Sequence, residues 1–238
     1  MSALITLSHG SRHPEAALGI EALTRKAAAL AGATSYEAAY LDFHESDLEA
    51  AAQRVATAGQ REAVVVPLLF TRGYHLRVDV PEAIDRAAQS AGLRLLQAEG
   101  LGTGADIAEL LAARAMAPQT GKKPQHLVIY AVGSSDEKAD SSVRDLAANV
   151  ESLTHLPTSV VFATRGGKEG VAKQVRRQGE VRVLPLFSTA GLLLDLLVDS
   201  PAQVDSPLGT DLAGVVADRF AHAAGLSTQT HMLAQIGS

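Results

Sequence analysis

The chain has 238 residues, of which 47% are hydrophobic and 20% charged, with a formal net charge of −5. That acidic balance argues against nucleic-acid binding, and the absence of cysteine rules out disulfides, thiolate metal centres and iron–sulfur ligation by this chain. The N-terminus lacks a signal-peptide pattern and no apolar run reaches membrane-spanning length, so a soluble cytoplasmic protein without a membrane partner is expected.

The first candidate strand, residues 4–8, runs straight into His9-Gly10-Ser11-Arg12. An alanine-rich helix is expected over 14–31 and a second strand over 35–41, which delivers Asp42, His44 and Glu45 to its end. Helix 47–58 opens on Ser46-Asp47-Leu48-Glu49, which reads as a capping box. Strand 63–69 feeds Arg72-Gly73-Tyr74-His75. Asp79-Val80-Pro81-Glu82 then opens helix 81–91 with a second capping pattern, and 94–97 is a fourth strand. Strand–helix alternation of this kind implies an α/β fold, a parallel sheet with helices on both faces.

Residues 117–125 are polar, carry two prolines and read as a linker. After them the pattern restarts. Residues 127–134 echo 4–11, residues 181–187 echo 64–70, and Leu208-Gly209-Thr210 echoes Leu101-Gly102-Thr103. Three matches in the same order point to an internal duplication: two tandem flavodoxin-like domains, 1–116 and 126–238. Val132 stands where His9 stood and leucine replaces His75, so the reactive groups are expected in the first half.

In such sheets ligands bind beyond the carboxyl ends of the strands, where strand order reverses. With a 2-1-3-4 order, His9 and His75 lie at neighbouring strand ends, with Asp42 or Glu45 at the same rim. Two imidazoles and a carboxylate suit Fe²⁺, Co²⁺ or Ni²⁺, and zinc on ligand type alone. A lone strand-end histidine is more often structural, bonded to backbone; the joint loss of both in the second half favours function. Asp42 has a plainer reading as a turn former, His44 as loop surface, and His13 as a rim residue or a shaper of the turn before Pro14. His126, His155, His222 and His231 show no usable pattern. Gly10 and Gly73 let backbone approach a ligand, and Ser11 and Arg12 lead into a helix start that favours anions. Arg12, Arg72 and Arg77 read equally as contacts for an acidic ligand or as solvated surface. The chain has no G-x-G-x-x-G after the first strand and no Walker lysine loop, which leaves nucleotide binding without support.

His9-Gly10-Ser11-Arg12, taken with the segment from Pro67 through Gly73-Tyr74-His75 to Asp79-Val80-Pro81, resembles the sirohydrochlorin chelatase family. These are class II chelatases that insert Fe²⁺ or Co²⁺ into a tetrapyrrole, and their longer members hold two such domains. The resemblance implies that His9 and His75 bind metal and catalyse. It places Asp42 where the family usually has a glutamate, with Glu45 as the other acid in reach. Gly10, Ser11, Arg12, Arg72, Gly73, Tyr74 and Arg77 would contact sirohydrochlorin in a cleft between the domains. It also implies that the divalent metal is a substrate, that no organic cofactor is needed, and that a monomer suffices. Two other readings remain at this stage: a metal or tetrapyrrole chaperone or sensor without turnover, and a histidine phosphatase, whose Arg-His-Gly order this chain lacks.

Overall fold

A computed structural model describes residues 2–73, 75–118 and 123–226, with only the backbone of His75 included. The expected Tyr74 contact and part of the 117–125 linker lie outside the described residues. The first half runs β1 (Ala3–Ser8), α1 (Ala16–Ala31), β2 (Tyr36–Tyr40), α2 (Leu48–Thr57), β3 (Glu62–Pro67), α3 (Val80–Ala91), β4 (Arg94–Gln97) and α4 (Ala105–Met116). The second runs β5 (His126–Ala131), α5 (Glu137–Thr154), β6 (Thr158–Phe162), α6 (Gly167–Gln178), β7 (Val181–Pro185), α7 (Leu192–Asp195), β8 (Gln203–Val204) and α8 (Ala213–Ala223). A π-helical turn, His75–Asp79, precedes α3, and a 3₁₀ turn, Gly209–Leu212, precedes α8.

Both sheets are four-stranded and wholly parallel, ordered β2-β1-β3-β4 and β6-β5-β7-β8. The 2-1-3-4 order expected from the sequence therefore occurs twice. The central strands are buried on both faces, which is why they read as near-continuous apolar runs. Their side chains alternate between two cores. Leu4, Val64 and Val66 face inward, while Ile5, Leu7 and Val65 pack beneath α2 and α3. Val128, Tyr130 and Val183 form the matching outer core of the second sheet with Val171 of α6.

The inner core is shared. It joins Leu4 and Val64 of the first sheet to Ile129 and Leu184 of the second through residues of α1, α4, α5 and α8. Within it, α4 packs on α5 and β7, whereas α8 packs on α1 and β3. Each closing helix thus covers the sheet of the other half. Arg182 of β7 fastens this exchange. It is 2% exposed, forms a bidentate pair with Asp205 at 2.9 Å through each nitrogen, and donates to the Ala115 carbonyl of α4 at 2.8 Å. Arg219 of α8 does the reverse, donating to the Gly100 and Leu101 carbonyls of the first half at 3.1 and 3.0 Å. The duplication boundary proposed at 117–125 separates the strands, and the closing helices cross it.

Helix starts differ in part from expectation. Asp47, not Ser46, caps α2, its Oδ1 accepting from the Ala50 amide at 2.8 Å, while Ser46 Oγ donates to the Ala38 carbonyl at 3.2 Å. Asp79 has helical backbone angles and makes no side-chain cap, because the π-helical turn leads continuously into α3. The first helix starts at Ala16, past a turn closed by the Ala16 amide on the His13 carbonyl at 3.1 Å.

Candidate functional site

The rim beyond β1, β2 and β3 is built by an extension of the sheet. The Leu41 amide donates to the Ser8 carbonyl and the Asp42 amide to the His9 carbonyl, both at 2.9 Å, so the β1–β2 pairing continues past the strands. Gly10 has φ +97°, and a Cβ there would stand 1.8 Å from the Asp42 carbonyl oxygen. Only glycine lets the two loops close this tightly. The result brings His9 and Asp42 together, with Nδ1 of the ring 3.8 Å from Asp42 Oδ2 and both side chains about half exposed, at 43% and 58%. That separation is longer than a hydrogen bond.

A third group at this rim has no counterpart in the sequence-based expectations. Phe43 has φ 61°, uncommon for a bulky residue, and is 54% exposed. Its ring meets His9 edge-on at 6.1 Å between centroids, and the Arg12 guanidinium lies 4.8 Å from its centre. An exposed aromatic held in a left-handed conformation beside a histidine suits a flat ligand. The available signal was an aromatic in a strand-end loop, which taken alone is commonplace.

The remaining candidates are distributed around the rim. His44 is turned away from the pair: its ring lies against Tyr40 at 4.2 Å and its Nδ1 accepts from the Ser46 amide at 3.0 Å. Glu45 is exposed on the same loop. Ser11 Oγ accepts from the His13 amide at 3.1 Å. Arg72 is paired with Glu99 at 3.3 Å at the surface, and Arg77 reaches Asp136 of the second half at 3.1 Å. Gly73 sits beside Ser134 of the second half. His75 opens the π-helical turn, a rare element often found at functional sites. Among the described residues no three His, Asp or Glu side chains come close enough to hold a metal ion; the His75 ring is not among them.

The facing rim repeats this frame without its chemistry. The Thr164 amide donates to the Val132 carbonyl at 3.1 Å, as Asp42 does to His9, and Gly133 takes φ +91°. Val132 and Thr164 therefore occupy the places of His9 and Asp42. Val132, Leu192 and Leu196 add exposed apolar side chains to this rim, at 44%, 58% and 46% exposure.

Residues 3–117 match the model of the CbiX family. Sirohydrochlorin cobaltochelatase of Sulfurisphaera tokodaii is 32% identical over 78 residues, covering 33% of this chain and 62% of that one. The enzyme of the same name from Methanopyrus kandleri is 25% identical over 84 residues, covering 35% and 59%. The chain thus spans about three-fifths of the length of these relatives. Among solved structures, the sirohydrochlorin chelatase SirB from Bacillus subtilis subspecies spizizenii in complex with cobalt superimposes with a TM-score of 0.76 at 22% identity, over 96% of this chain and 98% of that one. CbiX, described as the terminal enzyme for siroheme biosynthesis in denitrifying bacteria, gives 0.66 at 20% identity, over 94% and 99%. These two likenesses carry the fold of the whole chain, and the family match carries the histidine-bearing half. No helix among the described residues is long and apolar enough to cross a membrane. Residues 3–117 are thus similar to the CbiX family, in a chain with the two-domain fold of these chelatase structures.

Proposed function

We propose that this chain is a sirohydrochlorin chelatase, taking Fe²⁺ or Co²⁺ and sirohydrochlorin as substrates. The observation that carries the reading is the His9–Asp42 pair, held by the Gly10 close approach at the end of a central strand of a domain similar to the CbiX family. Next to β1 lies β3, whose loop leads to His75.

The chemistry needs a base near the macrocycle, because pyrrole N–H protons must leave as metal enters. An imidazole with an ordinary pKa near 6.5 accepts protons around neutrality, and a carboxylate beside it stabilises the imidazolium that forms. His9 and His75 would present the metal to one face of the ring, with Asp42 or Glu45 as the acid that receives protons or completes the metal's ligands. An open set of donors suits delivery better than a closed four-ligand cage. Phe43 would stack on the macrocycle and the exposed Val132 and Leu192 side chains would face it. Ser11, Arg12 and Arg72 would meet its carboxylates. Both walls come from one chain, so a monomer suffices.

The test is anaerobic Co²⁺ and Fe²⁺ insertion into sirohydrochlorin, followed by absorbance. His9→Ala and His75→Ala should each slow insertion by about 10²-fold or more. Wild-type rates in both variants would sink the assignment, and stoichiometric binding without turnover would make the protein a carrier instead.

A further inference from the structure

Among the described residues, two of the contacts between the rims are copies of one another. In the first half Ser11 Oγ accepts from the His13 amide at 3.1 Å, and in the second Ser134 Oγ accepts from the Asp136 amide at 3.0 Å. His13 Nδ1 then accepts from the Glu15 amide at 3.2 Å, and Asp136 Oδ1 from the Lys138 amide at 3.0 Å. Each side chain thus caps the turn that enters its helix, α1 or α5. The atom left over crosses between the halves. His13 Nε2 lies 3.4 Å from Asp195 Oδ2, and Asp136 Oδ2 accepts from an Arg77 terminal nitrogen at 3.1 Å.

The positions correspond. His13 and Asp136 stand three places after Gly10 and Gly133, and Arg77 and Asp195 four places after Gly73 and Gly191. The glycines also correspond in space: a Cβ at Gly191 would stand 4.0 Å from Ser11 Oγ, and one at Gly73 3.7 Å from Ser134 Oγ. Only the polarity differs. A carboxylate from the second half receives His13, and a carboxylate from the second half receives Arg77. Because Nδ1 of His13 accepts an amide proton, its own proton sits on Nε2, toward Asp195.

His13 shares its loop with His9, and Arg77 shares the π-helical turn with His75. We propose that Asp195 and Asp136 are positioning residues: the half that lost both imidazoles anchors, through two equivalent cross-domain latches, the two loops that carry them. The inference rests on the chelatase reading for its purpose, and on the paired geometry for its existence. Arg77 is 60% exposed and Asp195 45% exposed, so these pairs add little to global stability. Their effect lies in placement, where an error of about 1 Å can cost as much as ~10²-fold in rate.

The polarity difference supplies the test. In the full-length chain, Asp195→Arg should break the first latch, and adding His13→Asp should rebuild it in the form the second latch already has. Asp136→Arg should break the second, and adding Arg77→Asp should restore it with reversed sign. Amide hydrogen exchange over residues 10–15 and 75–79 should accelerate in each single variant and return in each double. The kcat of Co²⁺ insertion should fall roughly tenfold and recover in parallel. The thermal midpoint should stay put in the Asp195→Arg series, while both Asp136→Arg variants, single and double, lose the α5 cap and melt lower by the same amount. Single variants that exchange like wild type, or doubles no better than singles, would overturn the latches. If Arg77 instead held a substrate carboxylate, its charge-swapped double would stay slow. A wild-type protein without insertion activity would refute the chelatase reading, while the exchange measurements would still decide the latches.

Discussion

At the scale of single residues, the rim depends on two unusual backbone conformations. Gly10→Ala would place a methyl group against the Asp42 carbonyl at a φ of +97°. The expected result is a loss of about 1–3 kcal/mol in urea unfolding, with slower insertion because the Asp42 loop must move away from His9. Phe43→Ala removes an exposed ring and should raise stability slightly or leave it unchanged. It should raise the KM for sirohydrochlorin by about tenfold with a smaller change in kcat, the loss of one aromatic contact being worth roughly 0.5–1.5 kcal/mol. A change confined to kcat would place Phe43 in the chemical step instead. Of these residues, His9, Gly10 and Asp42 were legible in the sequence, since strand-end position and glycine identity are local properties. Phe43 was not, because its role depends on what a loop meets after the chain has folded; His13 was legible as a rim residue or turn former, and only its Asp195 partner lay beyond local pattern.

At the scale of elements, strands were read better than helix starts. The central strands announced themselves by near-continuous apolar runs, whereas the cap of α2 falls one residue later than expected, and α3 grows out of a π-helical turn that no local pattern marked. The first residue of β5 adds a property that the sequence did not reveal. His126 is 7% exposed with Nε2 2.9 Å from Ser159 Oγ, and burial lowers its pKa below the ordinary value of 6.5, partly offset by Glu151. Above that pH both folded and unfolded states hold a neutral ring. As pH falls below it, the unfolded chain binds a proton that the folded strand resists, so stability declines toward acid. Urea midpoints between about pH 7 and 5 should therefore fall more steeply for the wild type than for His126→Gln; parallel slopes would show that this ring does not contribute.

At the scale of the whole molecule, the duplication and both sheet orders were legible, but the exchange of closing helices was not. An apolar helix face declares that it will be buried without saying against which sheet, and α4 and α8 meet equivalent surfaces in either half. The shared inner core makes the halves energetically inseparable. Thermal unfolding is expected as one transition, with calorimetric and van't Hoff enthalpies in agreement; two resolved transitions would contradict that core. Arg182→Ala strands the Asp205 carboxylate and frees the Ala115 carbonyl at the centre of the exchange. It should cost about 3–5 kcal/mol while preserving the single transition.

The reciprocal placement of α4 and α8 also bears on biogenesis. As the polypeptide leaves the ribosome, the first four strands emerge with their inner surface lacking its final cover, which is encoded at Ala213–Ala223, after every strand of the second sheet. The helix that follows those strands, α4, must wait for a sheet not yet translated. Native closure of the first half therefore waits for synthesis of the second, and a nascent chain stalled before α8 would present a part-covered apolar sheet to the chaperone machinery.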